Sequence, residues 1–261
     1  MADWTIASWN VNSVRSRMHI LLDWLHDVRP DALCLQETKV DDKNFPAEDI
    51  RLAGYNVAFS GEPTYNGVAI ISQSEPKDVF SGLGTKKNPD ESRIIAATVD
   101  GVRIVNTYVP QGRDVDHEMF VYKLDWFDRL KKYFQKNNDP SDLLIWAGDL
   151  NVAPEDKDVH NPKRLKEHVD FHPEVQKKLA EVMEFGLIDV FRKHEPGEGQ
   201  YTFWDYRVKD AIKKGLGWRI DHILATETLA EMSKQAWIDT RPRTMKKPSD
   251  HTPICARFKL D

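Results

Sequence analysis

The stretch Leu-Leu-Ile-Trp-Ala-Gly-Asp-Leu-Asn at residues 143–151 is an apolar run that ends in a glycine and two polar side chains. A run without polar alternation predicts a strand that is buried on both faces. Gly148 permits a sharp turn or a close backbone approach where the strand ends. Asp149 and Asn151 follow, and there a carboxylate can activate water while an amide can donate to a developing charge. A purely structural turn would give the same Gly-Asp pattern, so both interpretations stay open for this run alone.

Short strand-like runs recur along the rest of the chain, and three other segments have the apolar spacing of amphipathic helices. Ten or so strands with few helices fit two packed β-sheets with helices outside. A barrel of βα repeats would need more helices. We therefore expect an α/β fold in one domain over residues 1–261. The predicted strands are 4–11, 32–36, 57–60, 67–72, 93–99, 102–109, 143–147, 218–224, 235–239 and 254–260, and the predicted helices are 14–28, 118–135 and 173–185.

The composition is that of an ordinary globular protein, with 261 residues of which 40% are hydrophobic and 30% charged. No stretch approaches the roughly 18 apolar residues that a membrane span needs. Residues 1–4 include neither a basic nor a long apolar segment, so we expect a cytoplasmic rather than a secreted protein. Cys34 and Cys255 lie in apolar runs, and we expect both to be buried, reduced thiols.

The net charge of −5 argues weakly against a nucleic-acid partner, because such proteins usually have a basic surface. Two segments without acids soften the objection: 241–247 has four positive charges and 161–166 has three. Each segment either contacts phosphate or is simply solvated surface. The chain has no glycine-rich phosphate loop, which disfavours hydrolysis of nucleoside triphosphates.

Oxygen ligands also follow the first two predicted strands. Asn10 and Asn12 are two residues apart and either orient a metal or phosphate ligand or form a turn before the helix at 14–28. Glu37 comes directly after the buried run 32–36, where a carboxylate is costly unless it is paired or bound to metal. Carboxylates are ligands that Mg²⁺ prefers. The alternative for Glu37 is a surface position at the strand exit.

Three further candidates lie at or near other strands. Asp250 and His251 precede the last strand, and histidine is the side chain most easily placed near a neutral pKa. Asp221 lies in an apolar run and needs a partner, for which we expect His251; a satisfied core polar group is the alternative. Tyr108 ends a strand and either contacts phosphate or is a half-buried aromatic. Together these clusters predict metal-assisted attack of water on a phosphodiester.

The order of these motifs resembles the endonuclease/exonuclease/phosphatase superfamily, and finer motifs resemble its exonuclease III branch of apurinic/apyrimidinic endonucleases. The resemblance extends from Trp4 to Phe258 and implies a four-layer α/β sandwich of two packed mixed β-sheets flanked by helices. The motifs are Trp9-Asn10-Val11-Asn12, Leu35-Gln36-Glu37, Gly148-Asp149-Leu150-Asn151 and Ser249-Asp250-His251 for the superfamily, and Gln36-Glu37-Thr38-Lys39, Tyr108-Val109-Pro110-Gln111-Gly112, Asn151-Val152-Ala153-Pro154-Glu155, His160-Asn161-Pro162-Lys163, Tyr201-Thr202-Phe203-Trp204-Asp205-Tyr206 and Gly217-Trp218-Arg219-Ile220-Asp221 for the branch.

The resemblance also implies the cofactor and the residues that perform the chemistry. Mg²⁺, or Mn²⁺ as a substitute, would be held by Glu37 with Asn10 or Asn12 nearby. Asp149 would orient or deprotonate the attacking water, and His251, oriented by Asp221, would polarise a phosphate oxygen. The full candidate sets are Tyr108, Asp149, Asn151, Asp221 and His251 for catalysis, and Asn10, Glu37, Asp149, Asn151, Asp250 and His251 for the metal.

Duplex DNA with abasic sites or 3′ ends is the implied partner, bound by a monomer away from any membrane. An extrahelical abasic deoxyribose would enter a small apolar pocket lined by Phe203, Trp218 and Ile220, and flipping costs least at a damaged site. The remaining candidate DNA contacts are Asn12, Gln111, Arg113, Asn161 and Lys163.

The expected activity is cleavage of DNA 5′ to abasic sites that leaves a 3′-OH, with 3′→5′ exonuclease and 3′-phosphatase action. One competing hypothesis is a phosphatase for lipid or inositol phosphates, which would gain nothing from Phe203, Trp218 and Ile220. Another is a catalytically silent DNA-binding protein. The presence of competent side chains at all the candidate catalytic positions argues against it.

Overall fold

Strands and short helices alternate through a computed structural model that describes residues 2–84 and 91–260. The strands are β1 (Ala2–Asn10), β2 (Ala32–Gln36), β3 (Asn56–Ser60), β4 (Val68–Ser72), β5 (Lys77–Ser81), β6 (Ile94–Val99), β7 (Val102–Tyr108), β8 (Leu144–Asp149), β9 (Leu187–Asp189), β10 (Asp221–Thr226), β11 (Ser233–Ile238) and β12 (Ile254–Leu260). The helices are α1 (Val14–Val28), α2 (Ala47–Leu52), α3 (Glu118–Asn137), α4 (Pro162–Leu165), α5 (Pro173–Met183), α6 (Val190–His194) and α7 (Glu227–Glu231), with 3-10 turns at Asp42–Asn44, Asp156–Asp158 and Pro242–Thr244.

The strands form two six-stranded mixed sheets, in the orders β11-β12-β1-β2-β4-β3 and β5-β6-β7-β8-β10-β9. Each sheet contains one parallel pair, β1 with β2 and β7 with β8, and its other neighbours are antiparallel. A parallel pair requires a crossover connection. Helices α1 and α3 are the crossovers, and each packs on the outer face of its own sheet.

Three apolar cores separate four layers. Alternation along β8 directs Ile145 into the core between the sheets, where Ile6 of β1 lies, and Trp146 into the core against α3. The third core joins the other face of the first sheet to α1, with Trp9 packed in the same cluster as Leu21. The observed layers confirm the predicted four-layer α/β sandwich.

The strand predicted over 218–224 is displaced in the structure. β10 begins at Asp221, which is therefore the first residue of its strand and not an interior one. Trp218 lies before the strand, where its backbone bridges to Val159 and to Phe203. Both arrangements bury apolar side chains, so the apolar pattern could not separate them. Asp221 therefore lies at the end of its strand, opposite the last residue of β8.

Two strands and four short helices have no counterpart in the sequence-based prediction. β5 is exposed along its whole length and β9 has three residues, and both lie at an edge of the second sheet. Helices α2, α4, α6 and α7 have six residues or fewer. Elements this short do not repeat an apolar period often enough to be recognised.

Both cysteines are buried and free, as predicted: Cys34 lies in the core between the sheets and Cys255 in the core against α1. Among residues 2–84 and 91–260, no helix is both long and apolar enough to cross a bilayer.

Gly148 is required where β8 packs against β7. Its φ is 149°, and a Cβ added there would lie 1.9 Å from the carbonyl oxygen of Thr107. We predict that Gly148→Ala lowers the free energy of unfolding by about 3 kcal/mol, because it combines steric overlap with backbone strain. Urea titration measures the loss. Gly101→Ala is the control, since its φ is 81° but nothing lies within 4 Å of an added Cβ. Equal losses in the two variants would contradict the steric explanation.

Candidate active site

The register of the second sheet places three candidate residues side by side. Asp149 is the last residue of β8, and it lies opposite Tyr108 at the end of β7 and opposite Asp221 at the start of β10. Directly opposed residues on neighbouring strands project from the same face. Two carboxylates and a phenol therefore lie together where these three neighbouring strands begin or end.

Asn10, at the end of β1, connects this group to the first sheet. Its fully buried Nδ2 donates to Oε1 of Glu37 and to Oδ2 of Asp149, both at 2.8 Å. Its Oδ1 accepts the backbone N–H of Asn12 at 3.0 Å, which fixes the orientation of the amide. One side chain thus holds a carboxylate of each sheet at a defined separation.

Glu37 follows β2 with a positive φ of 50°. Its Oε2 lies 2.7 Å from Nζ of Lys39. Burial alone would raise the pKa of Glu37, but Lys39 and the amide of Asn10 outweigh burial and lower the pKa. The carboxylate is therefore ionised at neutral pH.

Asp221 and His251 form a buried pair, with 2.8 Å between Oδ2 of Asp221 and Nδ1 of His251. The Nε2 of His251 lies 3.8 Å from Oδ2 of Asp149. Burial opposes the imidazolium, but the carboxylates of Asp221 and Asp149 reverse that effect and raise the pKa of His251 to about 10. The imidazolium is held as a hydrogen-bond donor that faces Asp149.

Burial raises the pKa of Asp149 to about 8, with the Asp221 carboxylate acting in the same direction and His251 opposing it. The backbone N–H of Asn151 donates to Oδ1 of Asp149 at 3.0 Å, and Nδ2 of Asn151 donates to the carbonyl of Val109 at 2.9 Å. Asp149 is therefore oriented by neutral donors while its negative charge is poorly stabilised.

Asp149, Asp221 and His251 could hold a metal ion, because their ligand atoms lie within 4.8 Å of one another. Among the described residues, Oδ1 of Asp221 is buried and has no hydrogen-bond partner. A carboxylate with a raised pKa beside a second carboxylate with an unpaired oxygen is a site that a cation would stabilise. Oxygen donors of this kind fit a hard divalent ion, and Glu37 adds a further carboxylate through the shared amide of Asn10.

Tyr108 keeps its proton in this environment. Burial raises its pKa well above 10, and the carboxylates of Glu37 and Asp149 act in the same direction. The guanidinium of Arg93 lies over the ring, 4.8 Å from its centroid. The phenol is therefore a hydrogen-bond donor, and a phenolate nucleophile is disfavoured.

Four of the candidate DNA contacts lie outside helices and strands, and Lys163, expected in a loop, lies in α4. Asn12 accepts from Nζ of Lys39 at 2.6 Å and donates to Asp250 at 3.0 Å. Gln111 donates to Asp170 at 3.3 Å. The remaining contacts, Arg113, Asn161 and Lys163, are exposed.

Both basic segments have exposed cations. In 241–247, the guanidinium of Arg241 lies 2.7 Å from Asp239 and that of Arg243 donates to the carbonyl of Trp204 at 3.2 Å, while Lys246 and Lys247 are exposed. The cations of 161–166 are exposed at and around α4.

Phe203, Trp218 and Ile220 meet in a small apolar cluster. Trp218 and Ile220 are buried, and Phe203 is half-buried with its ring centroid 4.9 Å from that of His251. The cluster adjoins the polar residues of the site, and its backbone is fixed by the bridges between Phe203, Trp218 and His251.

Sequence reasoning missed three cations that contact candidate residues: Lys39 beside Glu37, Arg93 over Tyr108, and the fully buried Lys123 beside Asn151. Lys39 was quoted within a motif but given no role. A signal existed for Lys123, since it stands three residues after Phe120 and four before Phe127, on the buried stripe of α3. Leu124, the next residue along the helix, is only half-buried.

A layered sandwich whose strand ends collect buried carboxylates, amides and an imidazole has the groups of a hydrolytic active site. The model of the Endonuclease/Exonuclease/phosphatase family matches residues 7–251. The chain is 36% identical to exodeoxyribonuclease III of Haemophilus influenzae, over 97% of this chain and 98% of that protein. This protein therefore belongs to the Endonuclease/Exonuclease/phosphatase family.

Two solved structures show the same fold. An AP endonuclease from Archaeoglobus fulgidus superimposes with a TM-score of 0.96 at 50% identity, covering 98% of this chain and 100% of that one. A 3′ phosphatase from Neisseria bound to a product DNA hairpin superimposes with a TM-score of 0.94 at 36% identity, with the same coverage of 98% and 100%.

We predict that Asp221→Asn lowers the pKa of His251 by about 2, because the amide removes the negative charge nearest the imidazolium. The titration of His251 in protein kept free of metal by a chelator, followed by NMR, measures this change. Glu48→Gln, whose side chain is 76% exposed, is the control and should leave the titration unchanged. An unaltered pKa in Asp221→Asn would mean that Asp221 does not determine the charge of His251.

Proposed function

We propose that this protein is a Mg²⁺-dependent DNA-repair phosphodiesterase that cleaves the backbone 5′ to abasic sites and leaves a 3′-OH. It also removes nucleotides and phosphate from 3′ ends. The supporting observation is the convergence of Asp149, Asp221, His251 and the Asn10–Glu37 pair at adjoining strand ends. Relatives named exodeoxyribonuclease III, AP endonuclease and 3′ phosphatase support this choice within the family. We further infer a single-domain, monomeric protein of the cytoplasm.

The chemistry divides among the chain's own groups. Asp149 orients and deprotonates the attacking water, and a pKa of about 8 suits a base that works near neutral pH. His251 donates to a non-bridging phosphate oxygen, and Asp221 fixes its ring. The amide of Asn151 holds the phosphate, and the phenol of Tyr108 donates to the phosphate or the leaving oxygen.

Glu37 and Asn10 are the principal candidates to hold Mg²⁺, with Mn²⁺ as a substitute. Asp149, Asn151 and Asp250 complete the candidate set, and His251 would join it only as the neutral imidazole, because the imidazolium has no lone pair for a metal. A bound divalent ion supplies charge stabilisation for the phosphate and the leaving oxygen. The unpaired Oδ1 of Asp221 and the raised pKa of Asp149 indicate that the site accommodates added positive charge.

Selection of the abasic site is assigned to the cluster of Phe203, Trp218 and Ile220. A bare deoxyribose packs against this apolar cluster, and flipping it out of the duplex costs least at a damaged site. The DNA backbone is contacted by Asn12, Gln111, Arg113 and Asn161 and by Lys163 of α4. Such contacts fix the register of the duplex without reading its sequence.

A labelled duplex with one tetrahydrofuran abasic analogue tests the proposal, beside an intact duplex and a duplex with a 3′-phosphate. We expect incision at the analogue and release of phosphate in Mg²⁺ and neither in EDTA, with no internal cuts in the intact strand. Absence of cleavage in all three duplexes would overturn the proposal. Hydrolysis of inositol phosphates instead would identify a different branch of the family.

Asp149→Asn tests the assignment of the base. We expect kcat for incision to fall by about 1,000-fold with little change in DNA affinity, because the amide cannot accept the proton but preserves the shape of the side chain. Single-turnover kinetics and a binding titration in EDTA separate the two effects. Asp27→Asn, on the exposed face of α1, is the control and should match the wild type. Full activity in Asp149→Asn would exclude Asp149 as the base.

A further inference from the structure

Lys123 is fully buried, and the mechanism above gives it no role. It lies on α3, and its ammonium has three N–H donors for four surrounding oxygens. A buried charge is stable only when it is paired and hydrogen-bonded, and one of the four oxygens belongs to a carboxylate. The acceptors are the carbonyls of Gln111 (3.1 Å), Asn151 (2.7 Å) and Val169 (3.1 Å) and Oδ1 of Asp170 (3.0 Å).

These oxygens come from three separate segments of the chain. Gln111 follows β7, Asn151 follows β8, and residues 169–170 precede α5. Helix α3 is the crossover between β7 and β8, and its Lys123 contacts the loop that follows β7 and the loop that follows β8. The first two loops contain the residues to which the proposed function assigns phosphate contacts.

The loops at Lys123 adopt backbone conformations that are not intrinsically favoured. The φ of Asn151 is 49° and that of Arg113 is 62°, both in the left-handed region. Residues in that region persist when their surroundings fix them. The backbone N–H of Asn151 donates to Asp149 at 3.0 Å while its carbonyl accepts from Lys123 at 2.7 Å. Lys123 is thus connected to Asp149 through one residue.

We propose that Lys123 is a positioning residue, whose ammonium holds the loops of Gln111 and Asn151 so that the side chain of Asn151 faces the scissile phosphate. The inference rests on the function proposed above. Lys123 does not touch the substrate, because its side chain is buried and its protons point at oxygens of the chain. It acts through Asn151, so its contribution to the rate depends on the side chain of Asn151.

Lys123→Met tests the proposal by incision of the abasic-analogue duplex, below the unfolding temperature of every variant. We expect kcat to fall by about 100-fold, because displacement of a reacting group by about 1 Å has an effect of that size. KM should change by less than about threefold, because the proposed DNA contacts of Asn12, Asn161 and Lys163 lie outside the loops that Lys123 holds. Leu130→Ala is the control for stability. It removes buried packing from the same helix and should leave the kcat of the folded protein unchanged.

A double-mutant cycle with Asn151→Ala distinguishes positioning from a structural role. If Lys123 acts through Asn151, adding Lys123→Met to Asn151→Ala should lower kcat by less than about tenfold, because the positioned group is already missing. An equal loss in both backgrounds, or an unchanged kcat in folded Lys123→Met, would overturn the proposal.

Lys123→Gln serves in the same cycle if Lys123→Met does not fold, since its amide keeps two N–H donors. The same dependence on Asn151 is expected, with a fall in kcat of about tenfold. An inactive wild-type protein would overturn the proposed function and this inference with it. An active wild type with additive losses would overturn this inference alone.

Discussion

The hydrogen bonds of one buried amide determine how the two sheets meet at the active site. The Nδ2 of Asn10 donates to Glu37 from its own sheet and to Asp149 from the other, each at 2.8 Å. Elsewhere the sheets are joined by an apolar core, which has no directional preference, and by buried hydrogen bonds of Asn106 in β7 to Gln36, Leu35 and Ala69 of the first sheet. At the active site the amide of Asn10 supplies the direction, because both carboxylates lose a donor if the sheets slide. Fixing the separation of Glu37 and Asp149 also fixes Tyr108 and Asp221, which are in register with Asp149.

Strained backbone conformations occur at the same strand ends. Asn12, Glu37, Arg113 and Asn151 have positive φ, and each follows a strand that leads into the site. Such conformations cost of order 1–3 kcal/mol each and persist only where surrounding contacts fix them. Lys39 contacts Asn12 and Glu37, and Lys123 contacts Asn151. The half-buried Lys39 and the buried Lys123 therefore have two roles, since each pairs with a carboxylate and each contacts a strained residue.

The sequence predicted the layers and the groups at the strand ends because both depend on local pattern. Apolar runs that end in Asp149 or Glu37 place a carboxylate where a buried strand meets solvent, whatever the rest of the chain does. The sequence did not predict Lys123, because a lysine in an amphipathic helix is normally solvated and only the tertiary structure shows the oxygens around it. The sequence-based prediction also started β10 at residue 218 instead of Asp221, because apolar content does not distinguish a strand from the isolated backbone bridges of Trp218. Pairing between distant segments is the information that local pattern lacks.

Asp149 differs from the other acids of the site in the groups that contact its carboxylate. Glu37 lies against Lys39 at 2.7 Å, Asp221 against His251 at 2.8 Å and Asp170 against Lys123 at 3.0 Å. Asp149 receives neutral donors, the amide of Asn10 and the N–H of Asn151, while His251 stands 3.8 Å away. Burial raises the pKa of Asp149 although His251 opposes it, whereas Lys39 lowers the pKa of Glu37. Similar acids in one site thus acquire different pKa values from their surroundings, and Asp149, unlike Glu37, is able to take a proton near neutral pH.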